Sequence, residues 1–379
     1  MGKKILYIYG GLYTPNGMST MISQKVNYLA DNTNNDIYIV LTEHPEIPRV
    51  YQLSERVHVK ILEINFDDLD TMPLGKKVFC YWKKQRKFKK LLTNYMVELS
   101  PDITVSITRR EINFLNQIND GSKKIAEIHF SRMFYRQFNK RFLPDFMNRY
   151  ISKTWMNSLI KNLRLLDKFV VLTEEDSHNW PELDNVVVIP NFVSTIPQKK
   201  TEGKTKRVIS AGRYSYQKGF DMLIEAWSFV YSRHPDWELV IYGSGDNVFY
   251  QKLADEKGLS KSLHCNSCVK NIFDLYVESS IYVLSSRHEG LPLVLIEAMG
   301  VGLPVVSFAC PCGPRDMIKD GFNGLLVKNG NIHDLAEKLC YMIEHEDERI
   351  QMGKNAISSI SRFQKEPIMQ KWIELFDSL

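Results

Sequence analysis

No apolar run in the chain approaches the ~18–20 residues that a bilayer-crossing helix needs, so any membrane contact has to be made from the surface. No apolar leader follows Met1, and six cysteines (Cys80, Cys265, Cys268, Cys310, Cys312 and Cys340) scattered over 379 residues make no disulfide framework. Both features fit a reduced, cytoplasmic protein. An excess of charge is also lacking: 49 basic against 44 acidic residues leave +5, too mild a balance to argue for nucleic acid. Short internal repeats and low-complexity tracts are missing, which excludes solenoids and disordered tails.

What is present is 44% hydrophobic residues in a chain long enough for two cores. Residues 4–9 form a short β-rich run that stops at Gly10-Gly11, before a loop with Pro15, Asn16 and Gly17. Further apolar runs at 37–41, 57–64, 103–107, 125–128, 169–172 and 186–189 are separated by segments of helical length. Strands alternating with helices predict an α/β domain with a parallel sheet covered on both faces. Pro190 breaks the pattern, and the polar, lysine-rich stretch 194–206 reads as a linker, so the boundary is expected between 194 and 195. A second series follows at 207–212, 238–242, 281–284, 304–308 and 325–327. The expected organisation is domains at 1–194 and 195–362, then a terminal helix at 363–379. Ile368, Trp372, Ile373 and Phe376 share one face of that helix, which predicts that it docks, with the first domain as its seat.

In the second half, an apolar strand at 281–284 runs through Ser286-Arg287-His288-Glu289-Gly290-Leu291-Pro292 into a helix. Helix starts offer unpaired N–H groups and a positive dipole end to phosphate oxygens. Pro292 has no N–H, which leaves the amides of Gly290, Leu291, Leu293 and Val294. Glu289 and Glu297, eight positions apart, are expected to face one crevice, and ionised carboxylates accept strong hydrogen bonds from hydroxyls. Upstream, Gly212-Arg213 to Lys218-Gly219 follows the domain's first strand, the edge where open α/β sheets bind ligands. Arg213 and Lys218 there suit a diphosphate. His129, just past the run 125–128, ends a strand of the first domain.

Gly212-Arg213, Gln217-Lys218-Gly219, Tyr242-Gly243-Ser244-Gly245, the run from Glu289-Gly290 to Glu297-Ala298, Gly302-Leu303-Pro304-Val305-Val306 and Gly321-Phe322-Asn323-Gly324 together resemble glycosyltransferase family 4. In the first half the resemblance rests on the Gly10–Gly17 loop, His129 and Ile189-Pro190-Asn191. It implies a GT-B fold, two facing Rossmann-like domains with a deep interdomain cleft, and a retaining transferase that uses a nucleotide sugar and no metal or other cofactor. It further implies that Arg213 and Lys218 hold the diphosphate, Glu289 the transferred sugar and Glu297 the ribose. The base would lie near Gly243, Ser244 and Val269, and His129 on the sugar or its phosphate. Gly17 allows close backbone approach to the β-phosphate or acceptor. The expected donor is a UDP-linked hexose or N-acetylhexosamine. A UDP-sugar 2-epimerase of the same architecture is the alternative. The first strand leads to Gly10-Gly11 and then Gly17, which lacks the Gly-x-Gly-x-x-Gly of dinucleotide dehydrogenases.

Residues 76–90 carry eight basic residues, no acid and four interleaved aromatics. An amphipathic helix there suits an anionic membrane surface, while a solvated helical face reads equally well. Lys83, Lys84, Arg86 and Lys87 are the cations expected either at the inner face of the plasma membrane or on the pyrophosphate of a polyprenyl-diphosphate-linked saccharide acceptor. Of two cysteine pairs, 265/268 and 310/312, the second has one intervening residue where zinc sites usually have two to four, and both lie in loops that the expected fold explains, so zinc is not expected. Asp68-Leu69-Asp70 resembles a metal-binding acidic triplet without its fold.

Overall fold

In the computed structural model, which describes residues 2–13, 16–44, 46–137, 144–193 and 196–379, the chain forms two compact units. Unit 1 is Met1–Leu172 with Ser177–Ile189 and Met369–Leu379, and unit 2 is Thr173–Asp176 with Pro190–Ile368. Thr14 and Pro15 of the first loop, and the boundary expected between 194 and 195, lie outside the described residues.

Unit 1 runs β1 (Lys4–Tyr9), α1 (Gly17–Asn32), β2 (Asp36–Leu41), β3 (Val57–Ile61), α2 (Leu74–Leu99), β4 (Ile103–Ser106), β5 (Lys123–Glu127), α3 (Asp145–Leu163), β6 (Lys168–Val171), α4 (Glu174–His178, straddling the division) and β7 (Val186–Val188). The strands lie in the order β3-β2-β1-β4-β5-β6-β7, all parallel. β1 is central and buried almost throughout, because both its faces are covered and its residues are apolar or aromatic. Asn16 starts α1 by accepting from the Ser19 amide at 2.9 Å. α2 is amphipathic: Phe88, Leu92 and Met96 join Leu6 and Ile8 in the core, while Phe79 and Trp82 are 72% and 60% exposed.

Unit 2 repeats the design with β8 (Arg207–Ala211), α5 (Phe220–Arg233), β9 (Glu238–Gly243), α6 (Asn247–Glu256), β10 (Leu263–Ser267), α7 (Ile272–Val277), β11 (Ile281–Leu284), α8 (Leu293–Gly300), β12 (Val305–Phe308), α9 (Pro314–Met317), β13 (Gly324–Val327), α10 (Ile332–Glu344) and α11 (Glu346–Ser359). Its order is β10-β9-β8-β11-β12-β13, again parallel. In each unit the order reverses beside the first strand, between β1 and β4 and between β8 and β11. Ligands of doubly wound sheets bind at such reversal points. The final helix, α12 (Lys365–Asp377), begins in unit 2 and ends in unit 1.

Residues 190–193 belong with unit 2 although the linker begins after them in the sequence reading. Phe192 is buried, and the Val193 amide donates to Phe363 O at 3.0 Å. Apolar burial and a backbone bond thus hold Phe192 and Val193 to unit 2.

The carboxyl ends of β8 and β9 approach closely: the Gly212 amide donates to Tyr242 O at 3.0 Å, and a Cβ on Gly243 would stand 1.7 Å from Gly212 O. Gly243→Ala must part these strand ends, an overpacking cost of ~1–3 kcal/mol. Thermal melting is expected to show a lowered Tm for Gly243→Ala and no loss for Gly75→Ala, where nothing lies within 4 Å of the added carbon. Equal melting of Gly243→Ala and wild type would show that the glycine does not set this spacing.

Candidate active site

At the reversal point of unit 2, the loop after β8 and the loop after β11 are stitched together. The first ends in a tight turn at Tyr216–Lys218, after which Gly219 (φ +63°) opens α5. A Cβ at Gly219 would lie 2.1 Å from Ser285 O, so only glycine permits the approach. Ser285 Oγ donates to Lys218 O (2.9 Å), the Arg287 amide to Gln217 O (2.8 Å), and Gln217 Nε2 to His288 O (3.0 Å). The Arg287 guanidinium forks onto Asp221 at 2.9 and 2.6 Å and lies 3.8 Å from the Tyr216 ring centre. Its hydrogen bonds hold the Asp221 carboxyl below the usual range.

Glu289 is 6% exposed. Its Oε1 accepts from Lys218 Nζ at 2.7 Å and from Ser286 Oγ at 2.6 Å, and its amide donates to Pro311 O at 3.1 Å. Gly212 leaves room for the Lys218 stem, whose Cε would stand 3.1 Å from a Cβ there. Burial lowers the neighbouring His288, partly offset by Glu289. Arg213, on the same loop as Lys218, is exposed, and its guanidinium meets no acceptor among the described residues. Among those residues nothing accepts from the amides of Gly290, Leu291, Leu293 and Val294 at the start of α8. The loops therefore present one uncommitted cation and several uncommitted amides beside a neutralised carboxylate.

Glu297, on α8, is partly exposed and makes no hydrogen bond or ion pair with the described residues; burial of the rest of its side chain pushes its carboxyl up to about 7. The buried Tyr282 phenol donates to Ala211 O at 3.3 Å. Burial raises its pKa first, and both Glu297 and Glu289 raise it further, which places the two carboxylates about one tyrosine. Gly243 is explained by its contact with Gly212 O without a ligand. Ser244 is exposed and its carbonyl accepts from the Tyr214 amide at 2.8 Å, while Val269 is 43% exposed in the loop after β10.

In unit 1, Gly17 is the exposed first residue of α1. The His129 side chain is 5% exposed, with Nε2 3.2 Å from Glu127 Oε1. Within the basic segment two of the four cations have partners in the protein. Lys84 Nζ binds Ile64 O, Asn65 O and Asp68, and Lys87 Nζ binds Glu63 O at 2.9 Å. Glu63 and Asn65 adopt left-handed backbone (φ 50° and 54°), and their carbonyls turn toward α2 to be satisfied there. Lys83 and Arg86 remain exposed, Arg86 lying 4.8 Å from the Trp82 ring centre. α3 carries a second exposed stripe, Phe146, Arg149, Tyr150 and Lys153, which the sequence reading missed although its helical spacing is legible.

Asp68 and Asp70 are each paired to a lysine, Lys84 at 2.9 Å and Lys77 at 3.0 Å. Among the described residues no group of three His, Cys, Asp or Glu side chains is arranged to share a metal ion. No helix among them is long and apolar enough to cross a membrane. Sequence reasoning also missed Ser286, Gln217 and the Arg287–Asp221 brace, which are ordinary loop residues until the loops meet. Lys25 and Glu127 were findable: one is a lysine on the apolar face of α1, the other an acid inside the run 125–128.

The family model for glycosyl transferases group 1 matches residues 193–359. An uncharacterized glycosyltransferase of Haemophilus influenzae is 30% identical over 317 residues, 82% of this chain and 84% of that one. The poly(ribitol-phosphate) alpha-N-acetylglucosaminyltransferase of Staphylococcus aureus is 30% identical over 227 residues, 58% of this chain and 46% of that one. Among solved structures, S. aureus TarM, crystallised with Fondaparinux, alpha-GlcNAc-glycerol and UDP, superposes with a TM-score of 0.74 at 18% identity, covering 99% of this chain and 100% of that one. These relatives are transferases rather than epimerases, and the two parallel sheets are those of GT-B. The chain belongs to the group 1 glycosyl transferases and is a glycosyltransferase of the GT-B fold.

Proposed function

We propose that the protein is a metal-independent, retaining glycosyltransferase of family 4 that moves a hexose or N-acetylhexosamine from a UDP-sugar to a hydroxyl of a lipid-linked saccharide in polysaccharide assembly. The observation that carries this reading is the Lys218–Glu289 ion pair (2.7 Å) set beside the uncommitted Arg213 and the uncommitted amides of α8. As the sugar departs, negative charge grows on the diphosphate, and preorganised donors there are the main catalytic need. Arg213, Lys218 and the amides of Gly290, Leu291, Leu293 and Val294 supply that positive potential from protein groups alone. A carboxylate so close to a departing diphosphate would repel it, and Lys218 cancels that charge while Glu289 accepts from the sugar hydroxyls. In the retaining route the bond between the anomeric carbon and the β-phosphate oxygen breaks. The acceptor oxygen bonds that carbon on the same face, and its proton passes to the departing phosphate. TarM crystallised with UDP, and the S. aureus relative is named for transfer of N-acetylglucosamine; both favour this donor class.

The acceptor side rests on the exposed stripes of unit 1. Phe79, Trp82, Lys83 and Arg86 on α2, with Phe146, Arg149, Tyr150 and Lys153 on α3, combine rings and cations as an anionic membrane surface requires. Lys84 is paired with Asp68 as well as two carbonyls, whereas Lys87 stays exposed and adds its charge to that of the outward residues.

Glu289→Gln and Lys218→Met are each expected to lower kcat roughly 100-fold or more while the protein stays folded. Turnover within threefold of wild type in either variant would sink the site assignment. Glu297 gives a pH signature. With a folded pKa of about 7 against 4.5 for the free group, its contribution to stability is full below pH 4.5 and lost as pH rises through 7. Glu297→Gln is therefore expected to melt above wild type at pH 8 and level with it near pH 4.5. Ribose hydroxyls donating to this carboxyl favour its ionised form, so UDP affinity, followed by calorimetry, rises with pH through 7 with proton release. A flat affinity between pH 5.5 and 8 contradicts that role. Flotation with vesicles containing phosphatidylglycerol is expected to bind wild type in a salt-sensitive way and to fail with Trp82→Ser/Lys83→Gln/Arg86→Gln. Unchanged flotation of that variant would remove the membrane assignment.

A further inference from the structure

Unit 1 carries a cavity of about 480 Å³ that the donor chemistry proposed above does not use, a volume ordinary for a small-molecule site. It opens at the carboxyl ends of β2 and β3. Leu41, Val59 and Ile61 form an apolar wall, and Tyr13, His44 and Arg49 stand around it. The Val50 amide donates to Leu12 O at 2.9 Å, which holds the loop after β2 against the loop after β1. A Cβ on Gly11 would stand 2.2 Å from Tyr13 Cε1, so the glycine leaves the Tyr13 ring its place, edge-on to His44 with centres 5.8 Å apart. Such a mixture of aliphatic wall, rings and a few polar groups suits the C–H face of a sugar.

The acids at this cavity have partners, and two of its arginines do not. Glu43 accepts from Thr42 Oγ1 at 2.9 Å and from the Asp67 amide at 3.2 Å, and burial pushes its carboxyl above the usual range. Asp67 accepts from the Tyr13 hydroxyl, Asp68 pairs with Lys84 at 2.9 Å, and Glu46 lies 2.8 Å from His44 Nδ1. Arg110 sits 3.9 Å from Glu43 and 4.3 Å from the Phe66 ring centre. Arg49 and Arg109 are exposed, and neither guanidinium meets a hydrogen-bond acceptor among the described residues. Gly10 sets Arg109 beside the cavity: a Cβ there would stand 3.2 Å from Arg109 Nη1 and 3.8 Å from Glu43 Cγ. The turn that carries Arg109 is strained, because Thr108 is β-branched yet adopts φ 52°. Three bonds hold it there: the Thr108 amide to Ser106 Oγ (3.1 Å), the Thr108 hydroxyl to Glu127 O (2.7 Å) and the Arg109 amide to Glu111 Oε1 (3.0 Å).

A guanidinium presents a planar fork of N–H groups that matches carboxylate and phosphate, and one left without a partner on a fixed turn is preorganised for such a group. We infer that this cavity holds an anionic sugar, one bearing a phosphate or a carboxylate, at the reacting end of the acceptor, and that Arg49 and Arg109 select it. The sugar ring lies against the apolar wall and the Tyr13 ring, and the arginines take its anion. That this sugar is the one glycosylated rests on the saccharide acceptor proposed above, whereas its binding does not.

The test uses the full chain saturated with UDP, so that the phosphate-binding loops of unit 2 are filled, and follows methyl glucuronoside, glucose 6-phosphate and the uncharged methyl glucoside by calorimetry. Wild type is expected to bind one or both anions roughly tenfold more tightly than the neutral sugar, and the tighter of the two identifies the anionic group. Arg49→Gln/Arg109→Gln, which alters only exposed side chains, is expected to lose that preference with its Tm and UDP affinity unchanged. Three equal affinities in wild type, or a preference kept by the double variant, overturn the inference. In transfer assays the double variant is expected to raise KM for the favoured sugar by the same factor, and an unchanged KM overturns the acceptor role. Failure of the donor assignment shows separately, as turnover retained in Lys218→Met with the preference for the anion as in wild type.

Discussion

The approach of the two loops at the reversal point of the second sheet is the constraint on which the candidate site depends. Gly219 lies where any side chain would strike the Ser285 carbonyl at 2.1 Å, in backbone that favours glycine. Without that approach Lys218, one residue earlier, would not reach Glu289. Gly313 acts similarly beyond β12. At φ +102°, with Pro292 Cδ 2.4 Å from where its Cβ would be, it lets the following turn pack against the start of α8. The uncommitted amides of that helix keep their direction because glycines on two sides allow backbone to close around it.

Charge pairing follows from this geometry. Arg287 is wholly engaged with Asp221 and Tyr216 and works as a brace, whereas Arg213, on the same loop as Lys218, is left for an incoming anion. The difference lies in partners and not in residue type. Lys218 stands between the two cases, committed to a carboxylate yet only 17% exposed at the mouth of the same loop. A cation already held by an acid loses little side-chain entropy when a ligand arrives, so the pair is preorganised for both the sugar and the diphosphate.

Most strands and the candidate loops were legible because strand–loop–helix punctuation and glycine placement are local properties of the sequence, whereas β10 (Leu263–Ser267), with its polar residues, was not. The fates of individual cations were not. Lys83 and Lys84 are adjacent in the sequence, yet one faces solvent and the other closes three acceptors in residues 64–68. That outcome depends on the left-handed backbone at Glu63 and Asn65, which nothing in the composition announces. Glu127 read as part of an apolar run, and only its opposition to Lys25, 102 residues away, shows why an acid is kept there. Val193 likewise finds its partner, Phe363, far along the chain.

Glu289 and Glu297 show how far environment separates two like side chains on one motif. Glu289 is the more buried at its surface, yet Lys218 and Ser286 meet its charge from within the protein. Glu297 meets burial without a compensating donor among the described residues, and its carboxyl is pushed up to about 7. A carboxyl in that state is poorly stabilised as an anion until hydrogen-bond donors arrive from outside. Under the proposed reading those donors are the ribose hydroxyls, which makes ionisation of Glu297 and binding of the nucleotide two descriptions of one event. The first acid of the pair is thus prepared before the donor enters, and the second is prepared by it.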